Sequence, residues 1–119
     1  MSDELTYDKI ENRMRSAIIG MESATKQHAT DLKELAKAES KFKTVYASAF
    51  VSRRIEGEYQ GIKITDKLAE SLATVDTDQF RQEYEMAKAH ESASRQALSS
   101  IRSELEALRS LMASYRNPQ

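Results

Sequence analysis

Basic and aromatic side chains are interleaved along residues 41–54. This segment holds four Lys or Arg residues and no acidic residue, and Phe42, Tyr46 and Phe50 recur at every fourth position. Single-stranded nucleic acid favours this combination, because cations hold its phosphates and aromatic faces stack on its bases. Together with two lysines further along, the segment predicts a site for single-stranded DNA formed by Lys41, Lys43, Arg53, Arg54, Lys63 and Lys67.

The three aromatic residues also have a simpler interpretation. Phe42 lies on the apolar seam of a long predicted helix, and Tyr46 lies beside that seam. Apolar residues at helical spacing usually face a protein core. The aromatic residues are therefore interpreted mainly as core residues, whereas the basic residues remain candidates for phosphate contact.

A second charge pattern, here called the arginine row, occupies the C-terminal part of the chain. Every Lys and Arg there falls at an interval of seven residues: Arg81, Lys88, Arg95, Arg102, Arg109 and Arg116. The row has two interpretations. Its members either pair with acidic residues one turn away along the same helix, or they face an anionic partner, since positions that flank a helical seam select partners. The predicted intrahelical pairs are Asp78–Arg81, Glu85–Lys88, Glu91–Arg95 and Arg102–Glu106.

Residues that usually carry catalysis or hold cofactors are scarce. The chain has no Cys and two His, and its three glycines, at positions 20, 57 and 61, cannot form a nucleotide-binding fingerprint. Its carboxylates are scattered among basic residues, whereas paired catalytic acids need a desolvated cleft. The sequence thus predicts no enzyme, no cofactor, no metal site and no small-molecule substrate.

Low Gly and Pro content leaves room for long helices, because these two residues are the usual helix breakers. Heptad spacing predicts a helix over 5–54, a loop and short helix over 55–76, and a second long helix over 77–116. Thr65 or Asp66 is the expected cap of the short helix, and Asp76 with Gln79 has capping-box spacing at the start of the last one. The predicted fold is all-α: one domain, 1–119, forming a long antiparallel, coiled-coil-like hairpin with a short connecting helix. The first seam is Tyr7, Met14, Met21, His28, Leu35, Phe42 and Ala49 with Ile10, Ala17, Ala24, Asp31, Ala38, Val45 and Ser52, and the second runs Phe80, Tyr84, Ala87, Glu91, Ser94, Leu98, Ile101, Leu105, Leu108, Met112 and Tyr115.

Such a thin hairpin is predicted to form a homo-oligomer, because a small domain buries little of its own surface. Polar residues at seam positions can specify register or oligomeric state. With equal rise along both helices, His28 is expected near Leu105 or Ile101 and Glu91 near Lys41 or Glu39, so no His28–Glu91 pair is expected. The predicted partner or oligomer interface comprises Arg95, Arg102, Arg109, Arg116, His28, Asp31 and Tyr46.

The acidic chain start and the lack of a long apolar stretch predict a soluble cytoplasmic protein, and the balanced charge gives no overall attraction to polyanions. The formal net charge is -1, the first residues are acidic, and the longest uncharged stretch, 44–52, is far shorter than the roughly 20 apolar residues of a membrane span. No contact with a membrane is expected.

The region from Lys33 to Tyr115 resembles the UvsY-type recombination mediators of tailed phages. The similarity lies in a long basic helix that ends near Ser52-Arg-Arg-Ile-Glu-Gly57, a loop with glycine, a short helix and a long C-terminal helix. The segment Leu108–Arg116 also resembles small phage proteins encoded beside strand-annealing genes. The resemblance implies a ring-forming helical protein that binds single-stranded DNA and assists a recombinase. The positions that contact DNA in that family hold Ala47, Ser48 and Ala49 here, so the bases on either side are the candidates.

The sequence therefore leads to two functional hypotheses. In the first, an oligomeric accessory protein of DNA recombination or replication, in the cytoplasm of an infected bacterial host, binds single-stranded DNA without sequence preference through its basic hairpin tips and assists a recombinase or annealing protein. In the second, the chain is a protein-binding helical scaffold, an assembly factor or an inhibitor of a host factor, and does not bind DNA.

Overall fold

Helices make up most of the computed structural model, which describes residues 6–116. The all-α prediction is confirmed, and the predicted helix boundaries agree to within two residues wherever they fall in the described part; the predicted start at Leu5 lies outside it. A two-stranded antiparallel hairpin, which the sequence did not predict, occupies the loop. The elements are α1 (Tyr7–Glu56), β1 (Glu58–Tyr59), β2 (Ile62–Lys63), α2 (Asp66–Asp76) and α3 (Asp78–Arg116).

The chain divides into two compact units. Unit 1 combines the chain up to Asp31 with the chain from Glu91 onward, and unit 2 is Leu32–His90. Both long helices contribute residues to both units, so this division leaves the single-domain assignment a prediction.

In unit 1, the first half of α1 packs antiparallel to the second half of α3. The two helices meet through Ile10, Ala17, Leu105, Leu108 and Met112, all of which are buried. Met14 and Met21 pack against this cluster and are partly exposed. The seam predicted from heptad spacing is therefore the core of this unit.

The register of unit 1 differs from the predicted one. Gly20 faces Ile101, and His28 faces Glu91, which is at least ten residues along α3 from the expected neighbours of His28. The prediction assumed that α3 begins opposite the end of α1. Within unit 2, however, Lys41 lies over the ring of Phe80, so the start of α3 is beside the middle of the α1 segment of that unit. The residue opposite the end of α1 is instead Asp76 of α2, which pairs with Arg53.

In unit 2, α2 is held by its capping residues. The Thr65 hydroxyl accepts a hydrogen bond from the Leu68 amide at 3.2 Å, which confirms Thr65 as the N-cap. Thr77 alone separates α2 from α3; it is buried and donates its hydroxyl to the Ala73 carbonyl at 2.7 Å. Asp76 does not cap α3 as expected, because α2 continues through it. Its carboxylate instead accepts hydrogen bonds from Arg53 of α1.

The β-hairpin depends on left-handed backbone conformations. Glu58 pairs with Lys63 and Tyr59 with Ile62 across the ladder. The two residues between the strands, Gln60 and Gly61, have φ values of 52° and 80°. Two successive positive φ values are what a type I′ turn requires, and this turn matches the twist of a short hairpin. The hairpin leads directly into Ile64, which is buried.

Candidate functional site

Two of the three aromatic residues of the 41–54 segment, Phe42 and Tyr46, pack on each other. The Phe42 ring stacks on Tyr46 at 6.2 Å between centroids and lies 5.9 Å from the Tyr84 ring of α3. Phe50 is half-buried as well. The contacts of Phe42 and Tyr46 occupy ring faces that unpaired bases would need, so these two residues are poor candidates for base stacking. Tyr46, which was predicted as an interface residue, is one of the two stacked rings.

Arg53, one of the predicted phosphate contacts, joins α1 to α2. Its guanidinium donates two hydrogen bonds of 2.8 Å to the carboxylate of Asp76 and one of 3.3 Å to Glu56. The same group lies 5.4 Å from the centre of the Tyr59 ring. Bidentate arginine–carboxylate geometry is directional and strong among ion pairs. Arg53 therefore links the end of α1 to the end of α2, and its pair with Asp76 is here called the brace.

The brace makes the stability of the fold depend on pH. Hydrogen bonds from Arg53 lower the pKa of Asp76 below its ordinary value of 3.8, an effect that exceeds the opposing one of burial. A carboxylate whose pKa is depressed in the folded state stabilises that state above its unfolded pKa and stops doing so as pH falls through the folded pKa.

We therefore expect Asp76→Asn to lower the midpoint of thermal unfolding by a constant amount above about pH 5, and this difference to shrink as pH falls below about 4. Circular dichroism melts at several pH values measure it. Glu70→Gln is the matched control, because Glu70 is an exposed carboxylate of the same helix. A difference between Asp76→Asn and the native chain that grows on acidification contradicts the proposed role of the brace.

Three basic residues, Arg54, Lys63 and Lys67, lie near the N-terminal end of α2. Arg54 donates from Nη1 to the Ile64 carbonyl at 2.7 Å, and its Nε lies 3.0 Å from a carboxylate oxygen of Asp66. These contacts place its guanidinium beside the residues that follow Lys63 and precede Lys67. Both lysines are exposed, and neither forms an ion pair within residues 6–116. The three residues form the basic cluster at the start of α2.

Lys41 and Lys43 lie on α1, outside this cluster. Lys43 binds Glu39 at 2.8 Å, and this hydrogen bond raises the pKa of Lys43 and lowers that of Glu39. The Lys41 ammonium lies 5.3 Å from the centre of the Phe80 ring, within the range of a cation–π contact. Both lysines are exposed, so they add positive charge to unit 2 without belonging to the cluster.

The arginine row is largely paired along its own helix. Arg81 with Asp78 and Lys88 with Glu85 form the expected pairs in unit 2. In unit 1, Arg95 lies 3.8 Å from Glu91, but Glu106 pairs with Arg109 at 3.3 Å rather than with Arg102 as predicted. Glu106 can reach either arginine by one turn of helix, so local spacing did not decide between them. Within residues 6–116, no ion pair forms at Arg102 or Arg116.

His28 and Glu91 meet in unit 1, contrary to the sequence expectation. Nε2 of His28 lies 3.8 Å from Oε1 of Glu91, and their side chains are 20% and 13% exposed. This nitrogen is buried and has no hydrogen-bond partner in the described chain. The expectation failed because it used the wrong register of α3 on α1. Asp31, also predicted as an interface residue, accepts a hydrogen bond from Gln27 at 3.0 Å.

A groove between α1 and α3 in unit 1, here called the arginine groove, was missed by sequence reasoning. Arg15 and Ile18 of α1 line it together with Arg109, Met112 and Arg116 of α3. Arg109 and Arg116 were predicted as interface residues from the arginine row, whereas Arg15 and Ile18 were not predicted as site residues. The groove could be recognised only after the register had brought these residues together.

No independent lead to function comes from metal ligands, membrane segments or relatives. Within residues 6–116, no cluster of His, Asp and Glu is suited to hold a metal ion. In the same range, no helix combines the length and the apolar character needed to cross a bilayer. Comparisons with protein-family models, curated proteins and solved structures give no match.

Proposed function

We propose that the chain is a non-enzymatic, oligomeric accessory protein of DNA recombination or replication that binds single-stranded DNA without sequence preference. The observation that carries this proposal is the basic cluster at the start of α2, where Arg54, Lys63 and Lys67 come from three different elements. Cations gathered in this way suit the phosphate backbone of a nucleic acid. The bound DNA would be presented to a recombinase or annealing protein in the cytoplasm, with an infected bacterial host as the proposed setting.

Arg54 can take part without loss of the fold. Its contact with Asp66 is exposed, and exposed ion pairs contribute little stability. A phosphate can therefore replace Asp66 at Nε while Nη1 continues to donate to the Ile64 carbonyl, because a guanidinium carries five N–H donors. Arg53, in contrast, is held by its bidentate pair with Asp76, and Lys43 lies on α1 outside the cluster. The proposal thus assigns the phosphate contacts to three of the six candidate residues, and Lys41 contributes only to the positive electrostatic potential of unit 2.

Self-association supplies the affinity that one cluster lacks. Acidic residues lie close to the cluster, with Asp66 beside Arg54 and Glu58 opposite Lys63 in the ladder, so a single copy has little excess charge. Several clusters on one oligomer bind a strand with far higher apparent affinity than one does. The support for an oligomer is the set of large apolar side chains left exposed in each unit, among them Ile18, Ile19, Leu32 and Met86.

The test is the binding of a fluorescent 30-nucleotide oligonucleotide, followed by anisotropy at about 50 mM salt, where phosphate contacts are strong. Lys63→Glu combined with Lys67→Glu is expected to weaken binding at least tenfold. Lys26→Glu with Lys33→Glu is the matched control: it makes the same charge change at two exposed lysines outside the cluster and should leave most of the affinity. No binding by the native chain at micromolar concentration, or equal losses in the two variants, contradicts the proposal.

A protein-binding scaffold, assembly factor or host-factor inhibitor without DNA binding is the second candidate. It is favoured by the charge balance of unit 2, where Arg53 and Lys43 are neutralised by Asp76 and Glu39. Under this candidate, the native chain and both charge-reversed variants fail equally to bind the oligonucleotide. The same titration therefore separates the two functions.

A further inference from the structure

The arginine groove combines an apolar base with a positively charged edge. It has a volume of about 520 Å³ and lies entirely within unit 1. Met112 is buried and Met14 half-buried at its base, and Ile18 lines it with 44% of its surface exposed. Arg15, Arg109 and Arg116 line it as well, and all three residues are exposed.

Positive charge in the groove exceeds negative charge. Glu11 is the one acidic residue of its lining, and its carboxylate is already bonded to Arg15 at 2.8 Å. Arg109 reaches Glu106 only through an exposed contact of 3.3 Å, which is easily exchanged. Arg116 has no ion pair among the described residues. Two guanidiniums are thus available to an incoming carboxylate, directly beside apolar surface.

We propose that the arginine groove binds an acidic amphipathic helix of a protein partner. A helix that lies between two others needs apolar residues at intervals of three and four to contact the base of the groove. Methionines suit such a site because their flexible, polarisable side chains adapt to different apolar partners. Asp or Glu beside the apolar stripe of the partner would meet Arg109 and Arg116, and arginine–carboxylate pairs add directional hydrogen bonds.

The size of the groove sets the length of the partner segment. Its α1 side extends from Tyr7 to Ile18, about 16 Å at 1.5 Å per residue. About three turns of helix, or eleven residues, fill that length. Bases of a nucleic acid fit this groove less well, since its base is formed by methionines and Tyr7 already makes an edge-to-face contact with Tyr115. This proposal is independent of DNA binding, because the basic cluster at the start of α2 belongs to unit 2.

The experiment uses the full chain and a fluorescein-labelled, 14-residue amphipathic peptide with Leu at the seam positions and Glu on both flanks. A second peptide carries Lys in place of every Glu. Anisotropy is expected to rise with the Glu peptide alone. Arg109→Ala with Arg116→Ala is expected to weaken binding at least tenfold, whereas Arg102→Ala is expected to change it less than twofold. Arg102 is the matched control, because it has the same heptad position on α3 and does not line the groove.

Four results would overturn the proposal. The first is no binding of the Glu peptide up to about 1 mM, and the second is equal binding of both peptides, which means that charge does not select the occupant. The third is a lower assembly mass of the Arg109→Ala, Arg116→Ala variant in sedimentation, which makes a second copy of the chain the occupant. The fourth is loss of oligonucleotide binding in that variant with retention in Lys63→Glu, Lys67→Glu, which makes the groove the DNA site. Unchanged helicity and unfolding midpoint establish that the variant is folded.

Discussion

Leu105→Ala is expected to lower the free energy of unfolding by about 2–5 kcal/mol, the usual loss for a fully buried leucine. Leu105 is 3% exposed and lies in the cluster that joins α1 to α3 in unit 1. Two helices share few buried side chains, so the surrounding residues have little other core with which to compensate. Urea denaturation followed by circular dichroism at fixed chain concentration measures the loss.

Leu111→Ala is the control for this prediction. Leu111 lies on the same helix and loses the same atoms on substitution, but it is 38% exposed. Its replacement is expected to cost less than about 1 kcal/mol, as is usual away from a core. Similar losses for the two variants would mean that the surface of α3 carrying Leu111 is also covered, as it would be in an oligomer.

Replacing both members of the His28–Glu91 pair by leucine is expected to stabilise the chain by about 1–4 kcal/mol. The two side chains are mostly buried, and Nε2 of His28 lacks a hydrogen bond in the described chain, so the desolvation of the imidazole is poorly compensated. Glu91→Leu alone is expected to destabilise, because it leaves a buried imidazole without its carboxylate. Denaturation of the native chain, both single variants and the double variant gives the coupling energy.

The same four chains test the structural purpose of the pair. A polar layer in an apolar seam can specify one register or oligomeric state at a cost in stability. Sedimentation is therefore expected to give one assembly mass for the native chain and a mixture for the double variant. A more stable double variant of unchanged mass would assign the pair no part in specifying assembly.

Heptad spacing predicted which residues face inward because it depends only on the geometry of a single helix. The positions from Ile10 to Ala49 on the α1 seam are buried or half-buried, as are Leu98, Leu105 and Met112 on α3. Thr65 was predicted as a cap for the same reason, since its hydroxyl needs only the amide three residues later. Rules that depend only on neighbouring residues therefore predicted the helices and their apolar faces.

Contacts between elements were not predictable by the same rules. Arg53 and Asp76 are 23 residues apart, and nothing in their neighbourhoods identifies them as partners. The register of α3 on α1 depends on how α2 and the hairpin fill the connection, so the expected neighbours of His28 were wrong. The same limit applies to the basic residues proposed to contact DNA: composition identified them, but the carboxylate partners of Arg53 and Arg54 on α2 are distant in sequence.

Gly57 and Gly61 are constrained by backbone handedness alone. Their φ values are 78° and 80°, yet an added Cβ would meet no atom within 4 Å at either position. There is room for a side chain at either position, but an L-residue would have to adopt the left-handed backbone conformation that its Cβ disfavours. Shortening the neighbouring side chains cannot relieve this kind of strain, so second-site suppressors of a substitution at either glycine should not arise from its surroundings. Asn is the replacement with the smallest penalty, because it tolerates that conformation better than other side chains do.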